Sequence, residues 1–537
     1  MGSFRLAGGL AFTVCLSAIP IIASAQQDNV FGVPPSAETR GAITSLDAKG
    51  DTVTKGDKGA VEYRSVTVPA GTPGSAAVNS DAPVQVPFVV PNSMVLTLRP
   101  DVKAEEIDAL IKERALTVLE IYENLNAIRV QTDLSKFFQP ELGDNDMNHT
   151  LLRGAVEASE SFKADERIIG ASPETMFSNQ ANHEPAAAAP LQPDSSLGPG
   201  LLPQVESLIM PSAGEGEKTD WGISDIEADA LWSVPGAGDG IVLGVMDTGF
   251  NRHEDLTFSG IGNQEVSDHG NHVAGIACSR HNEIGVRGVL PNCFVMPRSG
   301  DVFPIAAEGG DILQFMTRFS MIMRTLDEFV EASDEGVKVY NVSLGYNWIS
   351  NFGVNIDEEE QGLYRQLVAL QGENLLNALA RADENGAIVV SAAGNDSSLL
   401  ANPIHAKFAS PFNWASITAR ERGIAKSGLI IEAHDQQGNR ARFSNKGGDL
   451  SCPGVNVLST VARNSEGAPA SNAYGTMSGT SMASPYCAAG AALLSLVRKG
   501  YTASELVQCL TTSNEKSDSG APRLKLSQAL AACPPRN

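Results

Sequence analysis

The chain has few basic residues, few aromatic residues and no closely paired cysteines. Of its 537 residues, 39 are Lys or Arg and 63 are Asp or Glu, which gives a net charge of −24, and aromatic residues make up 6%. Such an acidic balance argues against nucleic acid and anionic membranes as partners, because both repel a negative surface. No Cys-x-x-Cys pair occurs. A zinc site is therefore not expected.

Long apolar runs are also scarce, and the clearest one lies at the N-terminus. Residues 1–5 carry one positive charge, residues 6–22 are mostly apolar, and Ala23-Ser24-Ala25 has the small-residue pattern of a cleavage site. Two glycines and a proline interrupt the run, and no stop-transfer pattern follows it. We therefore predict a signal peptide cleaved after Ala25, a secreted or periplasmic protein, and no membrane anchor.

Of the seven cysteines, Cys15 falls inside this signal, which leaves six. An even number in an exported chain favours disulfides, although the sequence leaves their connectivity open. Cys452 and Cys487 lie beside small residues, and they could instead remain buried as free thiols.

A serine that has the setting of a nucleophile lies in the motif Gly-Thr-Ser-Met-Ala-Ser-Pro at residues 479–485. The flanking glycine and the proline four residues later place Ser481 where a loop becomes a helix, with the proline tolerated in the first turn. The unpaired N–H groups of that turn favour developing negative charge. Alone, such a serine is more often a helix cap.

Three further motifs supply polar partners for this serine. Residues 241–246 form an apolar run that ends at Asp247, where open α/β sheets place their sites. His269 opens a second helix of small residues, and Asn395 follows another apolar strand. Each has a simpler explanation alone: a turn former, a structural histidine and a left-handed turn residue. Together they give the order Asp, His, Ser, which is one of the known orders of a hydrolytic triad.

The motifs Asp-Thr-Gly at 247–249, His-Gly-Asn-His-Val-Ala-Gly at 269–275 and the serine motif resemble those of the subtilisin-like serine peptidases. The resemblance implies an α/β protein with a three-layer fold and a mainly parallel sheet, preceded by a small α+β propeptide domain. One departure is Asn271, where the family usually carries threonine, and we expect it to affect substrate fit more than chemistry.

The same resemblance assigns roles to residues. Asp247 would orient His269, His269 would act as general base, and Ser481 would be the nucleophile. The Asn395 side-chain amide and the Ser481 backbone N–H would stabilise the oxyanion. A neighbouring set would hold an extended substrate as an added strand: Ser343, Leu344, Gly345, Ala393 and Gly394. Residues 341–343 also match a glycosylation acceptor, but the segment looks buried, which favours the substrate role.

The resemblance further implies a calcium site and the disulfide pairs Cys278–Cys293, Cys452–Cys487 and Cys509–Cys533. The candidate calcium ligands are Asp255, Asn282, Ile284 and Val286. Side-chain and backbone oxygens together suit calcium. The simpler alternative is that Asn282 shapes a turn and Asp255 caps the next segment. The chemistry itself is expected to need no cofactor.

Changes in composition and periodicity along the chain predict five parts. After the signal, residues 26–87 lack periodicity and are expected to be a flexible extension. Residues 88–181 have a β-α-β-β order that resembles an inhibitor-like propeptide. Residues 182–218 are rich in Pro, Ala and Gly, which predicts an exposed linker with the maturation site. Residues 219–537 would form the catalytic domain.

The predicted function is that of a secreted serine endopeptidase made as an autoprocessed zymogen. Its partners would be protein or peptide substrates and its own propeptide, acting as an intramolecular inhibitor. Two alternatives stay open. A catalytically silent binding protein on the same fold would usually lack a motif residue, and none is missing here. A peptide ligase or cyclase would use the same acyl-enzyme but exclude water.

Overall fold

A computed structural model describes most of the chain beyond the first 29 residues. The described residues are 30–31, 33–47, 89–137, 147–178, 216–259, 268–299, 303–306, 312–346, 348, 354–358, 362–399, 402–465 and 467–536. The predicted signal peptide and nearly all of the predicted linker therefore lie outside the described residues.

Fourteen strands are found in these ranges. They are β1 (Val89–Leu98), β2 (Thr117–Tyr122), β3 (Ala127–Gln131), β4 (Ile168–Ser178), β5 (Ile241–Asp247), β6 (Cys293–Ser299), β7 (Phe303–Ala306), β8 (Ile312–Arg318), β9 (Val339–Val342), β10 (Ile388–Ala392), β11 (Gly428–His434), β12 (Leu450–Pro453), β13 (Val457–Arg463) and β14 (Pro469–Met477).

Twelve α-helices accompany these strands in the same ranges. They are α1 (Ala37–Thr44), α2 (Ala104–Glu113), α3 (Met147–Lys163), α4 (Trp221–Asp225), α5 (Ala228–Leu231), α6 (Asp268–Cys278), α7 (Phe319–Asp334), α8 (Leu363–Glu384), α9 (Pro411–Arg422), α10 (Thr480–Val497), α11 (Ala503–Leu510) and α12 (Leu526–Ala532).

The larger unit is built on a six-stranded sheet in the order β12-β11-β10-β9-β5-β6, and its neighbouring strands are all parallel. Successive residues of a strand face opposite sides. Ile388 and Val390 therefore pack with α6 and α10, whereas Val389 packs with α7, α8 and α9. Because both faces are covered, the central strands β9 and β10 are buried throughout and mostly apolar. The predicted α/β three-layer fold with a parallel sheet is confirmed.

The N-terminal unit is an antiparallel sheet covered by helices α2 and α3. Its strand order β2-β3-β1-β4 continues into β8 and β7, a hairpin from the larger unit. Three residue pairs join β4 to β8 in antiparallel register: Met176 with Arg318, Phe177 with Thr317 and Ser178 with Met316. One sheet therefore crosses the boundary between the two predicted domains.

Part of the predicted flexible extension is ordered, which departs from the expectation for residues 26–87. Helix α1 is capped by Ser36, whose side chain accepts a hydrogen bond from the Thr39 N–H. The Thr39 hydroxyl bonds to the carbonyls of Pro100 and Val102, and Ile43 is buried in the core of the N-terminal unit. The sequence around α1 is short and polar, so its single buried isoleucine left no periodic signal.

All three predicted disulfides are present. Their Cα atoms are 5.1 Å apart for Cys278–Cys293, 6.3 Å for Cys452–Cys487 and 5.9 Å for Cys509–Cys533, within the usual range. The alternative of free thiols at Cys452 and Cys487 is therefore wrong.

In the part of the chain that the structure describes, α10 is the one helix whose length and composition would allow it to cross a membrane. It is 89% buried inside the protein, as a core helix is.

Candidate active site

The carboxylate predicted to orient the base is bonded to the predicted base. Asp247 is the last residue of β5 and is fully buried, and its Oδ1 lies 2.7 Å from Nδ1 of His269, the second residue of α6. The Thr248 N–H, 2.7 Å away, also donates to Oδ1. A Cβ on Gly270 would lie 1.8 Å from the Gly249 carbonyl oxygen. Glycine at 270 therefore allows α6 to approach the end of β5.

The predicted nucleophile is the second residue of α10, directly after the N-cap Gly479 and Thr480. Ser481 is 2% exposed, and its Oγ has no hydrogen-bond partner among the described residues, so the Asp247–His269 pair does not extend to it here. Bonds of this kind are often long or absent in unliganded enzymes and tighten around substrate.

Pro485 is the sixth residue of α10 and not part of its first turn, which corrects the sequence-based placement. At that position the missing proline N–H would have bonded to the carbonyl oxygen of Ser481. That oxygen instead accepts a hydrogen bond from the Ser343 hydroxyl, at 3.2 Å.

The predicted oxyanion donors converge beside Gly479. Asn395 Oδ1 accepts bonds from the Thr480 N–H (2.9 Å) and the Thr480 hydroxyl (2.8 Å), which fixes the orientation of the amide. A Cβ built on Gly479 would lie 3.6 Å from Asn395 Nδ2 and 3.7 Å from Ser481 N. Asn395 Nδ2 and Ser481 N therefore lie near the same point beside Gly479.

The five predicted substrate-binding residues lie together at one edge of the sheet. Ser343, Leu344 and Gly345 follow β9, and Ala393 and Gly394 follow β10, the neighbouring parallel strand. Strand β5, which ends at Asp247, pairs with β9 on its other side. The glycosylation alternative does not fit, because Asn341 is fully buried with its side chain bonded to Ser343 and Ser484.

Asn271, where the family usually carries threonine, is bonded to the loop that follows Asp247. It is fully buried, its Oδ1 accepts from the Asn251 N–H at 2.8 Å, and its Nδ2 donates to the Asn251 carbonyl at 3.0 Å. These two bonds tie α6 to the loop after Asp247. This reciprocal contact uses both ends of the Asn271 amide.

The predicted calcium ligands form one neighbourhood. Asp255 is fully buried, its Oδ2 accepts from the Val286 N–H at 3.2 Å, and its Oδ1 has no partner within the described ranges. Burial raises the pKa of Asp255 to about 7. Asn282 Oδ1 accepts from the Ile284 N–H at 3.2 Å. A buried carboxylate oxygen without a donor fits a cation held by oxygens.

Glu217 also reaches this loop, and the sequence reasoning did not identify it. Its Oε1 accepts from the Asn282 N–H at 2.8 Å, and its charge contributes to the raised pKa of Asp255. No local pattern marks Glu217, which lies far before Asp255 in the chain.

Within the described part of the chain, no cluster of three His, Cys, Asp or Glu side chains could bind a metal. Backbone carbonyl oxygens would therefore have to complete a calcium site.

A second Asp–His–Ser set lies elsewhere in the larger unit. His434 Nδ1 is 2.8 Å from the Ser451 hydroxyl, and His434 Nε2 is 3.0 Å from Asp225 Oδ2. Arg523 and Lys525 also pair with Asp225. Ser451 is fully buried within strand β12, and His434 is fully buried as well, so this set offers no surface to a substrate.

Comparison with known proteins identifies a family and several similar proteins. The subtilase family matches residues 238–528. Subtilisin Savinase of Lederbergia lenta is 29% identical over 288 residues, 52% of this chain and 84% of its own length. The alkaline protease of Alkalihalobacillus alcalophilus is 29% identical over 288 residues, 52% of this chain but only 60% of its own length. A solved protease structure from Pseudoalteromonas arctica is 24% identical, covers 57% of this chain and 94% of its own, and has a TM-score of 0.40.

The matched region thus contains the parallel sheet, the helices that carry His269 and Ser481, and every residue predicted for the site. The chain belongs to the subtilase family.

Proposed function

We propose that the protein is a serine endopeptidase that hydrolyses peptide bonds through an acyl-enzyme on Ser481. The observation that carries the proposal is the 2.7 Å bond between the buried Asp247 carboxylate and His269 Nδ1. It fixes the imidazole with Nδ1 protonated, so Nε2 carries the lone pair that accepts a proton. The matching activity in the names of the similar proteins supports the same reaction class.

The chemistry then follows from these groups. His269 Nε2 takes the Ser481 proton as the hydroxyl oxygen attacks the substrate carbonyl carbon. Asn395 Nδ2 and the Ser481 N–H hold the resulting oxyanion. His269 returns the proton to the leaving amine, and water then attacks the ester by the same route to release the acid. Asp247 remains ionised and stabilises the imidazolium.

The N-terminal unit is proposed to be a propeptide that acts as an intramolecular inhibitor of this site. In β4, Thr175 Oγ accepts from Gln371 Nε2 at 2.8 Å, and Gln371 is bonded to the hydroxyl of Tyr346. Tyr346 directly follows the proposed substrate segment. Two hydrogen bonds thus connect β4 to the residue that follows the proposed substrate segment. Residues 88–181 would be released by a cut within 182–218, after export directed by residues 1–25.

A calcium ion is proposed at Asp255, with Asn282, Ile284 and Val286 supplying the remaining ligands. When bound, the ion would offset the cost of the buried Asp255 carboxylate and rigidify the loop. It would play no part in the chemistry. Addition of a chelator to the calcium-loaded protein should lower its melting temperature, and an unchanged temperature would remove this proposal.

The test of the proposed activity compares the wild type with Ser481→Ala. We expect fluorophosphonate labelling and casein digestion by the wild type and neither by Ser481→Ala. Ser451→Ala, which alters the second Asp–His–Ser set, should keep both. N-terminal sequencing of the processed wild type would locate the maturation site.

Other outcomes would favour the alternatives. A folded, processed wild type that neither labels nor cleaves would indicate a catalytically silent binding protein. Labelling with transfer of the acyl group to an added peptide amine, but without hydrolysis, would indicate a ligase or cyclase.

A further inference from the structure

The carbonyl group of the proposed nucleophile is held from outside its own helix. Pro485 cannot donate to the Ser481 carbonyl oxygen, and a buried carbonyl without a donor is costly. The Ser343 hydroxyl fills this role at 3.2 Å. Ser343 is fully buried and Ser481 is 2% exposed, so water does not compete freely for either group.

The Ser343 hydroxyl belongs to a closed chain of hydrogen bonds. Asn341 Nδ2 donates to Ser343 Oγ at 2.9 Å, and the Ser484 hydroxyl donates to Asn341 Oδ1 at 2.7 Å. Because the Ser481 carbonyl can only accept, every hydroxyl and amide in the chain has one possible orientation. The chain leaves α10 at Ser484, passes through β9 and its following segment, and returns to α10 at Ser481.

This arrangement complements the contact on the other side of the nucleophile. There, Asn395 Oδ1 accepts two bonds from Thr480, which fixes the residue that precedes Ser481. The Ser343 hydroxyl fixes the carbonyl group of Ser481 itself. Hydrogen bonds on both sides therefore restrain Ser481. One of them comes from Ser343, which lies in the segment proposed to bind substrate.

We infer that Asn341, Ser343 and Ser484 are positioning residues that set the attack geometry of Ser481, an inference that rests on the proposed function. Loss of this geometry reduces the rate of the chemical step, because a small misplacement of the reacting atom weakens the near-attack arrangement. Substrate binding is preserved, since the backbone of residues 343–345 remains. The effect therefore falls on kcat and not on KM.

The experiment is steady-state kinetics on a peptide p-nitroanilide that the wild type cleaves, with the burst of p-nitrophenyl acetate as a measure of acylation. We expect Ser343→Ala to lower kcat and the acylation rate about tenfold, with KM within about twofold of the wild type. Ser343→Thr, which keeps the hydroxyl, should recover most of the rate. Ser484→Ala should lower kcat by a smaller factor, again at constant KM.

Ser333→Ala is a matched control. Ser333 is also fully buried, accepts from an asparagine amide (Asn385 Nδ2, 2.7 Å) and donates to a backbone carbonyl (Val330, 2.6 Å), but it lies near the end of α7. The variant Ser333→Ala should lose unfolding free energy as Ser343→Ala does, but it should keep the wild-type kcat.

The outcomes separate this inference from the proposed function. A wild type that neither labels nor cleaves refutes the proposed function itself. An active wild type with Ser343→Ala at wild-type kcat, or with the loss confined to KM, overturns the positioning role alone. If Ser343→Ala does not fold, Ser484→Ala decides, and a wild-type kcat for that variant overturns the inference.

Discussion

Thr97 Oγ donates a hydrogen bond to Asn374 Oδ1 at 2.8 Å and so joins β1 of the N-terminal unit to α8 of the larger unit. Asn374 is fully buried, and its Nδ2 donates to Ser172 Oγ at 2.7 Å. A Cβ on Gly170 would lie 2.5 Å from Asn374 Oδ1, so glycine allows the close approach. One asparagine thus bonds to two strands of the N-terminal unit.

Replacing Asn374 should loosen the N-terminal unit. In the unprocessed Ser481→Ala chain, Asn374→Ala and Thr97→Val should each lower the free energy of unfolding by about 1–3 kcal/mol, because a buried polar group loses its partner. Urea titration measures both values. The double variant should lose less than the sum of the two, and strict additivity would contradict a direct interaction.

The oxyanion role of Asn395 can be tested without disturbing its contact with Thr480. Asn395→Asp keeps an oxygen for the two Thr480 donors but removes the Nδ2 donor and adds a negative charge. We expect kcat to fall by about 10²–10³ with little change in KM. Thr480→Ala removes the Thr480 hydroxyl but keeps the Asn395 Nδ2 donor. Its kcat should therefore fall much less. Equal losses in the two variants would assign Asn395 to support of the helix and not to the oxyanion.

The raised pKa of Asp255 predicts how stability depends on pH in chelator. Its pKa is 3.8 when unperturbed and about 7 in the folded protein. Between these values the folded state binds more protons than the unfolded state, so stability decreases as the pH rises from about 4 to 7. The chelated protein should therefore melt at a lower temperature at about pH 8 than at about pH 5.5.

Two comparisons isolate Asp255 in this experiment. With excess calcium, the melting temperature should fall less between these two pH values, because the cation favours the ionised Asp255 carboxylate. Asp255→Asn, which cannot ionise, should show a smaller decrease in chelator. A melting temperature in chelator that does not fall across this pH range would contradict the assigned pKa.

The disulfide Cys452–Cys487 links β12 to α10 across 35 residues. The chain-entropy estimate for a loop of this length is about 4 kcal/mol. The double variant Cys452→Ala/Cys487→Ala should therefore lose about 3–4 kcal/mol of unfolding free energy in a denaturant titration. Removing Cys509–Cys533, whose loop spans 24 residues, should cost a similar amount. A loss below about 1 kcal/mol for both pairs would show that they constrain the unfolded chain little.

The features that could be predicted from the sequence are those with a local pattern. The apolar runs ending at Asp247 and before Asn395 became strands β5 and β10, because burial on both faces leaves a continuous apolar signature. His269 and Ser481 could be placed near helix N-termini because small residues follow each of them. These local patterns, read together with the family resemblance, located the candidate site.

The remaining features depend on contacts between distant parts of the chain. Glu217 meets Asn282 across 65 residues of sequence, and Ser343 reaches the Ser481 carbonyl across 138 residues. Polar contacts of this kind leave no periodicity in the sequence. The hairpin β7–β8 joins a sheet that begins at Val89, far earlier in the chain, and strand propensity alone does not select a partner strand.

The pairing of β4 with β8 separates two events in the proposed maturation. Cutting the linker breaks one peptide bond, but the severed N-terminal unit still shares a backbone ladder with the larger unit through Met176, Phe177 and Ser178. Under the proposed maturation, cleavage would therefore precede release. The delay between the first cut and the first digestion of a foreign protein would then include the time this ladder takes to open, a step of strand dissociation separate from the catalytic rate.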